Sequence, residues 1–150
     1  MGKEIERKFL LTDNNYRNLA TRHYSIKQGY LSTQIDAVVR VRIIDNDAFI
    51  TIKSRNRGIS RDEWEYPIPL NDAVEMLAIC KGHVIDKHRY IIEHEGYTWE
   101  IDEFHGRHQG LVIAEIELTS EDQTFSCPPF IGQEITGDPQ YYNSTLSGID

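Results

Sequence analysis

Glu4-Ile5-Glu6-Arg7-Lys8-Phe9 opens the chain with an alternation of ionised and apolar side chains. In an extended strand, residues i, i+2 and i+4 share one face. A strand here therefore gathers Glu4, Glu6 and Lys8 and sends Ile5 and Phe9 the other way. The same period of two recurs over 26–31, 38–44, 48–53, 61–68, 84–93, 97–102 and 111–118, for about eight strands. Connections are short, with turns at Asp45-Asn46-Asp47 and at Glu95-Gly96, so the pairing is expected to be largely antiparallel.

Two helices are expected between the strands. Asp13 caps the first, through Arg22, with Tyr16, Leu19 and Ala20 on one face. Asn71 caps the second, which carries Val74, Leu77, Ala78 and Cys80 and stops at Gly82. A third helical segment is read over 139–146. The fold class is α+β, dominated by strands. One domain over residues 1–150 is expected, because no repeat, linker or compositional break divides the chain.

Composition narrows the function. The formal net charge is −8, from 16 Lys plus Arg against 24 Asp plus Glu, which argues against a nucleic-acid coat or a polybasic membrane binder. The two cysteines, Cys80 and Cys127, form no CxxC and no zinc pattern. The N-terminus has no apolar signal segment and no run approaches membrane-spanning length, so a cytoplasmic protein is expected. The six histidines are not spaced as paired ligands and read as surface residues.

The polar face of the strands is almost entirely ionic and groups like signs: Glu4 with Glu6, Arg40 with Arg42, Lys87 with Arg89, Glu115 with Glu117. A solvated sheet face normally carries Thr, Ser, Gln and Tyr, and like charges two residues apart repel. The carboxylate pairs suit a divalent cation and the basic pairs suit phosphate oxygens. If eight strands close with this face inward, the lumen holds Lys8, Arg40, Arg42, Lys53, Arg61, Lys87 and Arg89 against Glu4, Glu6, Glu63, Glu65, Glu100, Asp102, Glu115 and Glu117. Buried ions cost several kcal/mol each when uncompensated, so such an interior implies a matching ligand, a condensed phosphate with a divalent metal.

These residues resemble the CYTH or triphosphate tunnel metalloenzyme superfamily, in its bacterial single-domain form. Glu4-Ile5-Glu6-Arg7-Lys8 matches the ExExK signature. Lys27-Gln28-Gly29-Tyr30-Leu31, Arg40-Val41-Arg42, Thr51-Ile52-Lys53, Arg61-Asp62-Glu63-Trp64-Glu65-Tyr66 and Lys87-His88-Arg89-Tyr90 follow in the family's order. Further along come Ile101-Asp102-Glu103-Phe104, Ala114-Glu115-Ile116-Glu117-Leu118 and Glu134-Ile135-Thr136-Gly137-Asp138. The resemblance implies an eight-stranded antiparallel barrel forming a tunnel. It implies Mg²⁺ or Mn²⁺ on Glu4, Glu6, Glu115 and Glu117, phosphates on Lys8, Arg40, Arg42, Lys53, Lys87 and Arg89, and a role for Tyr30 paired with Lys53. His88 replaces a common Thr, but faces away from the tunnel.

The activity expected is hydrolysis of inorganic tripolyphosphate to pyrophosphate and phosphate. Arg61 joins the substrate-binding bases, Glu6 or Glu117 accepts a proton from water, and Lys87 serves the leaving oxygen. Alternatives are a class IV-like adenylate cyclase, a nucleoside or thiamine triphosphatase, and a non-catalytic polyphosphate-binding module. The expected partner is a small-molecule triphosphate, with no nucleic acid or membrane, on a monomer or homodimer.

Overall fold

The computed structural model describes residues 2–148. Its strands are β1 (Gly2–Leu11), β2 (Arg22–Gln34), β3 (Ala37–Ile44), β4 (Asp47–Ser54), β5 (Ser60–Ile68), β6 (Lys81–His94), β7 (Tyr97–Phe104), β8 (Val112–Glu117) and β9 (Ile131–Glu134). The helices α1 (Tyr16–Leu19), α2 (Leu70–Ala78) and α3 (Asn143–Leu146) are short. Hydrogen bonding runs β5-β4-β3-β2-β6-β7-β8-β1, and β1 pairs back onto β5, so eight antiparallel strands close into a barrel. β9 lies outside that ring and was not read from the sequence.

Closure turns on β1. Its first half pairs with β5 through Gly2↔Glu63 and Glu4↔Arg61, while Glu6 to Leu10 pair along the other edge with β8. Beyond the reach of β5, the edge of β1 would present bare N–H and C=O groups. There β9 takes over, with Phe9↔Glu134 and Leu11↔Ile131. The following residues continue the docking: Ile135 N–H donates to Lys8 O (2.8 Å) and Lys8 N–H donates to Thr136 Oγ1 (2.9 Å). This edge leads the C-terminal segment toward the barrel interior.

Outward-facing apolar side chains are covered in two places. Ile5, Phe9, Trp99, Ile101, Ala114 and Ile116 pack with Tyr16 of α1 and with Phe130. On the far side, Val41 and Ala48 lie beneath Ala73 of α2, with Met76 and Leu77 beside them. Val74 points away and is exposed, so the packed face of α2 differs from the one expected. The helix begins at Leu70 after Pro69, and Asn71 lies inside it. Gly82, at φ +69°, belongs to the start of β6 and not to the helix end.

α1 is a single turn and does not reach Arg22, because Arg22 already pairs with Ile91 in the sheet. Asp13 accepts the Asn15 N–H (2.9 Å) in a local turn. The expected segment at 139–146 forms a 3-10 turn, Pro139–Tyr141, followed by α3. Among the described residues no helix is long and apolar enough to cross a membrane.

The inward face is not ionic along its whole length. Phe104 is the ladder partner of Lys87, Ile113 of Asp102, and Ile85 of Gln28. These three pack with Tyr30, Ile135 and Leu146 into an apolar floor. Trp99 is fully buried, 5.6 Å from the Phe9 ring and 5.8 Å from Phe125. Trp99→Ala is therefore expected to cost about 3–5 kcal/mol, measured as a lowered urea midpoint. An unchanged midpoint would remove this cluster from the barrel's support.

Candidate active site

Above the apolar floor, the barrel encloses a cavity of about 470 Å³. Six bases line it, Lys8, Arg40, Arg42, Lys53, Arg61 and Arg89, with seven carboxylates, Glu4, Glu6, Glu63, Glu65, Glu100, Glu115 and Glu117. The ladder places them. Glu6 is opposite Glu117, Glu4 opposite Arg61, Lys8 opposite Glu115, and Glu115 opposite Glu100. Alternation along each strand and pairing across strands thus bring Glu4 with Glu6, Arg40 with Arg42 and Glu115 with Glu117 into one cavity, while of Lys87 and Arg89 only Arg89 reaches it.

Glu4, Glu6 and Glu117 form one group. A carboxylate oxygen from each lies within 4.8 Å of the other two. Glu4 is buried; its Oε2 stands 2.8 Å from Lys53 Nζ and 3.6 Å from Arg61 Nε, yet accepts no aligned hydrogen bond among the described residues. Burial pushes the Glu4 carboxyl up, but Lys53 and Arg61 together hold it below the usual range. Glu117 sits at the rim. Partial burial and the charges of Glu4, Glu6 and Glu63 push it up to about 8, against the pull of the Ile5 N–H (3.2 Å). The residue as a whole is exposed, so solvent screens part of that repulsion. An oxygen-only donor set, crowded with negative charge and holding an unsatisfied buried oxygen, fits a hard divalent cation. Glu115 stands apart, 3.7 Å from Lys8 Nζ.

The bases are held from behind. Arg42 Nε donates to Gln28 Oε1 (2.8 Å), and Arg40 Nη2 donates to Thr51 Oγ1 (3.3 Å), which in turn donates to Glu65 (2.9 Å). Arg40 and Arg42 are buried, and burial with the adjacent Arg40 and Arg89 charges disfavours the Arg42 cation. Lys53 is likewise depressed by burial and by Arg40, with Glu4 opposing. Burial alone would lower Lys8, but Glu115 and Glu6 hold it above the normal lysine range. Arg89 is clamped by Asp102 (Nε to Oδ1 2.7 Å, Nη2 to Oδ2 2.9 Å) and reaches Glu100 (3.0 Å).

Lys87 and Asp102 do not line the cavity. Lys87 is fully buried above Phe104, with Nζ donating to Asp102 Oδ2 (2.7 Å) and to Asn143 Oδ1 (3.3 Å). Burial and the Arg89 and Arg42 charges drive Lys87 down, to about 7, while Asp102 opposes. Although burial opposes it, Arg89 and Lys87 keep Asp102 ionised far below the ordinary value. Tyr30 lines the cavity, and its ladder partner is Arg40. β3 separates it from Lys53, and its charged neighbours include Lys8 and Arg42. His88 faces outward, as alternation requires.

Sequence reasoning missed Gln28, although it lies two residues before Tyr30 on the inward face. It also gave no role to Asn56, Gly58 and Ile59, or to Thr136, Gly137, Tyr142, Asn143 and Ser144, which line the cavity from loops. Period two carries no signal for loops. Docking of residues 131–136 on β1 is what brings the second group in.

Glu117 yields a pH prediction. Its folded value lies above the ordinary 4.5, so the folded chain binds the extra proton and stability from it falls as pH rises toward 8. Without divalent metal, wild type is expected to lose stability relative to Glu117→Gln between about pH 5 and 8, and saturating Mg²⁺ should abolish that difference. Parallel pH profiles in thermal melts would contradict the crowding.

A CYTH domain model matches residues 2–149. An inorganic triphosphatase of Acetivibrio thermocellus is 48% identical over 97% of this chain and 94% of its own length. One of Nitrosomonas europaea is 34% identical over 96% of each. A crystal structure of an inorganic triphosphatase superposes with a TM-score of 0.68 at 32% identity, covering 98% of this chain and 99% of that one. With the closed barrel and its charged cavity, these matches establish that the chain belongs to the CYTH domain family.

Proposed function

We propose that this protein hydrolyses inorganic tripolyphosphate to pyrophosphate and phosphate with the help of Mg²⁺ or Mn²⁺. One observation carries the reading: six bases and a three-carboxylate group share one enclosed cavity. Full-length relatives named inorganic triphosphatase support it. With every group ionised the lining carries one excess negative charge, which alone would repel a polyanion. A divalent cation on Glu4, Glu6 and Glu117 reverses that sign, so metal and phosphate chain are needed together.

Bound there, the cation supplies charge neutralisation to phosphate oxygens and acidifies water. The chain's own residues do the rest. Arg40, Arg42, Lys53, Arg61, Arg89 and Lys8 hold successive phosphates in line, which is most of what phosphoryl transfer asks of a protein. Glu6 or Glu117, through a carboxylate oxygen that the cation does not hold, would accept the proton of the attacking water. Lys87 stands behind Arg89 and acts by holding Asp102, hence the guanidinium, and not by touching the leaving oxygen. Tyr30 closes the cavity toward the floor beside Lys8 and Arg42.

The test is phosphate release from tripolyphosphate, ATP, GTP and thiamine triphosphate, each with Mg²⁺ and Mn²⁺, with cyclic AMP measured alongside. Tripolyphosphate is expected to be cleaved fastest and no cyclic AMP to form. Intact tripolyphosphate, bound but not cleaved, would refute hydrolysis. Glu6→Gln with Glu117→Gln is expected to abolish release in a folded protein, and retained turnover would dismiss the metal seat. Arg42→Ala removes charge-assisted bonds worth about 1.5–3 kcal/mol, so KM is expected to rise roughly 10- to 150-fold; an unchanged KM would place Arg42 outside the substrate's reach.

A further inference from the structure

His23 of β2 and His88 of β6 lie 65 residues apart, yet the barrel sets one against the other. Ser25 pairs with His88 and Tyr90 with His23, so the two imidazoles are diagonal neighbours on the outer face. Lys87 and Arg89 take the inward positions on either side, which obliges His88 to face out. His23 Nδ1 lies 2.7 Å from His88 Nε2, and the rings are 4.8 Å apart, both against Tyr90. His23 is exposed and His88 half-buried. In such a contact one nitrogen donates and the other accepts. Moving the shared proton to the far nitrogen of its ring leaves a free lone pair on each of the two facing nitrogens.

We propose that His23 and His88 form a second metal site, outside the barrel, for a nitrogen-preferring cation: Zn²⁺, Cu²⁺ or Ni²⁺. Imidazole favours these ions, while Mg²⁺ and Mn²⁺ favour the carboxylates of the lumen, so the two sites sort cations by chemistry. At metal–nitrogen lengths of about 2.0–2.1 Å, tetrahedral ligands stand about 3.3–3.4 Å apart. The nitrogens must part by about 0.6–0.7 Å and the rings turn so that both lone pairs aim at the ion, a χ adjustment on a fixed sheet. Water completes the coordination.

The surroundings favour a cation. Glu103 is the ladder partner of His88, and Asp45, which accepts the Ser25 N–H (3.1 Å), lies on the other side. Glu103 is already bonded to Tyr16 (2.7 Å) and Arg17 (2.8 Å), so it contributes charge and not a ligand. His105 adds a third imidazole nearby. Burial, then His23 and His105, hold His88 below the ordinary imidazole value despite Glu103 and Asp45, leaving the ring neutral for a metal at pH 7.

The experiment titrates untagged protein with Cu²⁺ while Mg²⁺ in large excess occupies the lumen, read by electron paramagnetic resonance. One equivalent showing nitrogen hyperfine coupling is expected, lost in His23→Gln and in His88→Gln and retained in Glu117→Gln. Binding that survives both histidine substitutions, lacks nitrogen coupling, or disappears in Glu117→Gln would overturn the site. A measurement on wild type alone guards against unfolded variants. One equivalent of Cu²⁺ or Zn²⁺ should protect His23 and His88 from diethylpyrocarbonate, located by mass spectrometry, and acylation of both at the metal-free rate would refute the proposal.

Discussion

The pairing of β1 with β5 is the constraint on which the rest depends. Opened there, the sheet would spread its ionic side chains into water, where surface ion pairs contribute at most about 1 kcal/mol each. Closed, it forces carboxylates and bases from seven of its eight strands into one small volume of low dielectric. Charge must then be balanced locally. The ladder does this rung by rung, setting Lys8 against Glu115, Glu4 against Arg61 and Arg89 against Asp102. Two rungs set carboxylate against carboxylate, Glu115 against Glu100 and Glu6 against Glu117; the second also has Glu4 close by, and that local excess of negative charge is where the proposed cation would sit.

Behind the cavity wall, a second tier fixes the groups that face the cavity. Asp102 binds Arg89 through both oxygens and accepts from Lys87 as well, over the apolar floor of Ile85, Phe104 and Ile113. Dry surroundings strengthen these bonds and make loss of either partner costly. Gln28 and Thr51 do the same for Arg42 and Arg40 with neutral atoms, holding each guanidinium without cancelling its charge. The bases are therefore held in fixed orientation, as the proposed phosphate-binding role requires, since phosphoryl transfer depends on positioning and electrostatic stabilisation.

Much of this was legible in the residues. Period-two alternation gave the strands, and grouping of like charges gave the inward face, because both follow from backbone geometry alone. Lys87 shows where that reasoning stops. Its face was right, but depth along the barrel axis depends on register, and register places Lys87 beside Phe104 on the dry floor. α1 was overestimated because the pairing of Arg22 with Ile91 outcompetes local helix preference. The C-terminal lining and the His23–His88 contact are long-range consequences of strand order. No local pattern encodes them, although the quoted Glu134 to Asp138 segment held Thr136 and Gly137 in plain view.

The claim at the centre is that cation and condensed phosphate occupy one cavity and need each other. Calorimetric titration of a non-hydrolysable imido analogue of tripolyphosphate, with and without Mn²⁺, measures that dependence without turnover. By linkage each ligand must raise the other's affinity by the same factor. This account expects one analogue per chain, bound tightly only with the metal, and the reciprocal gain when the order of addition is reversed. Equal affinity with and without Mn²⁺, or no binding at all, would contradict it.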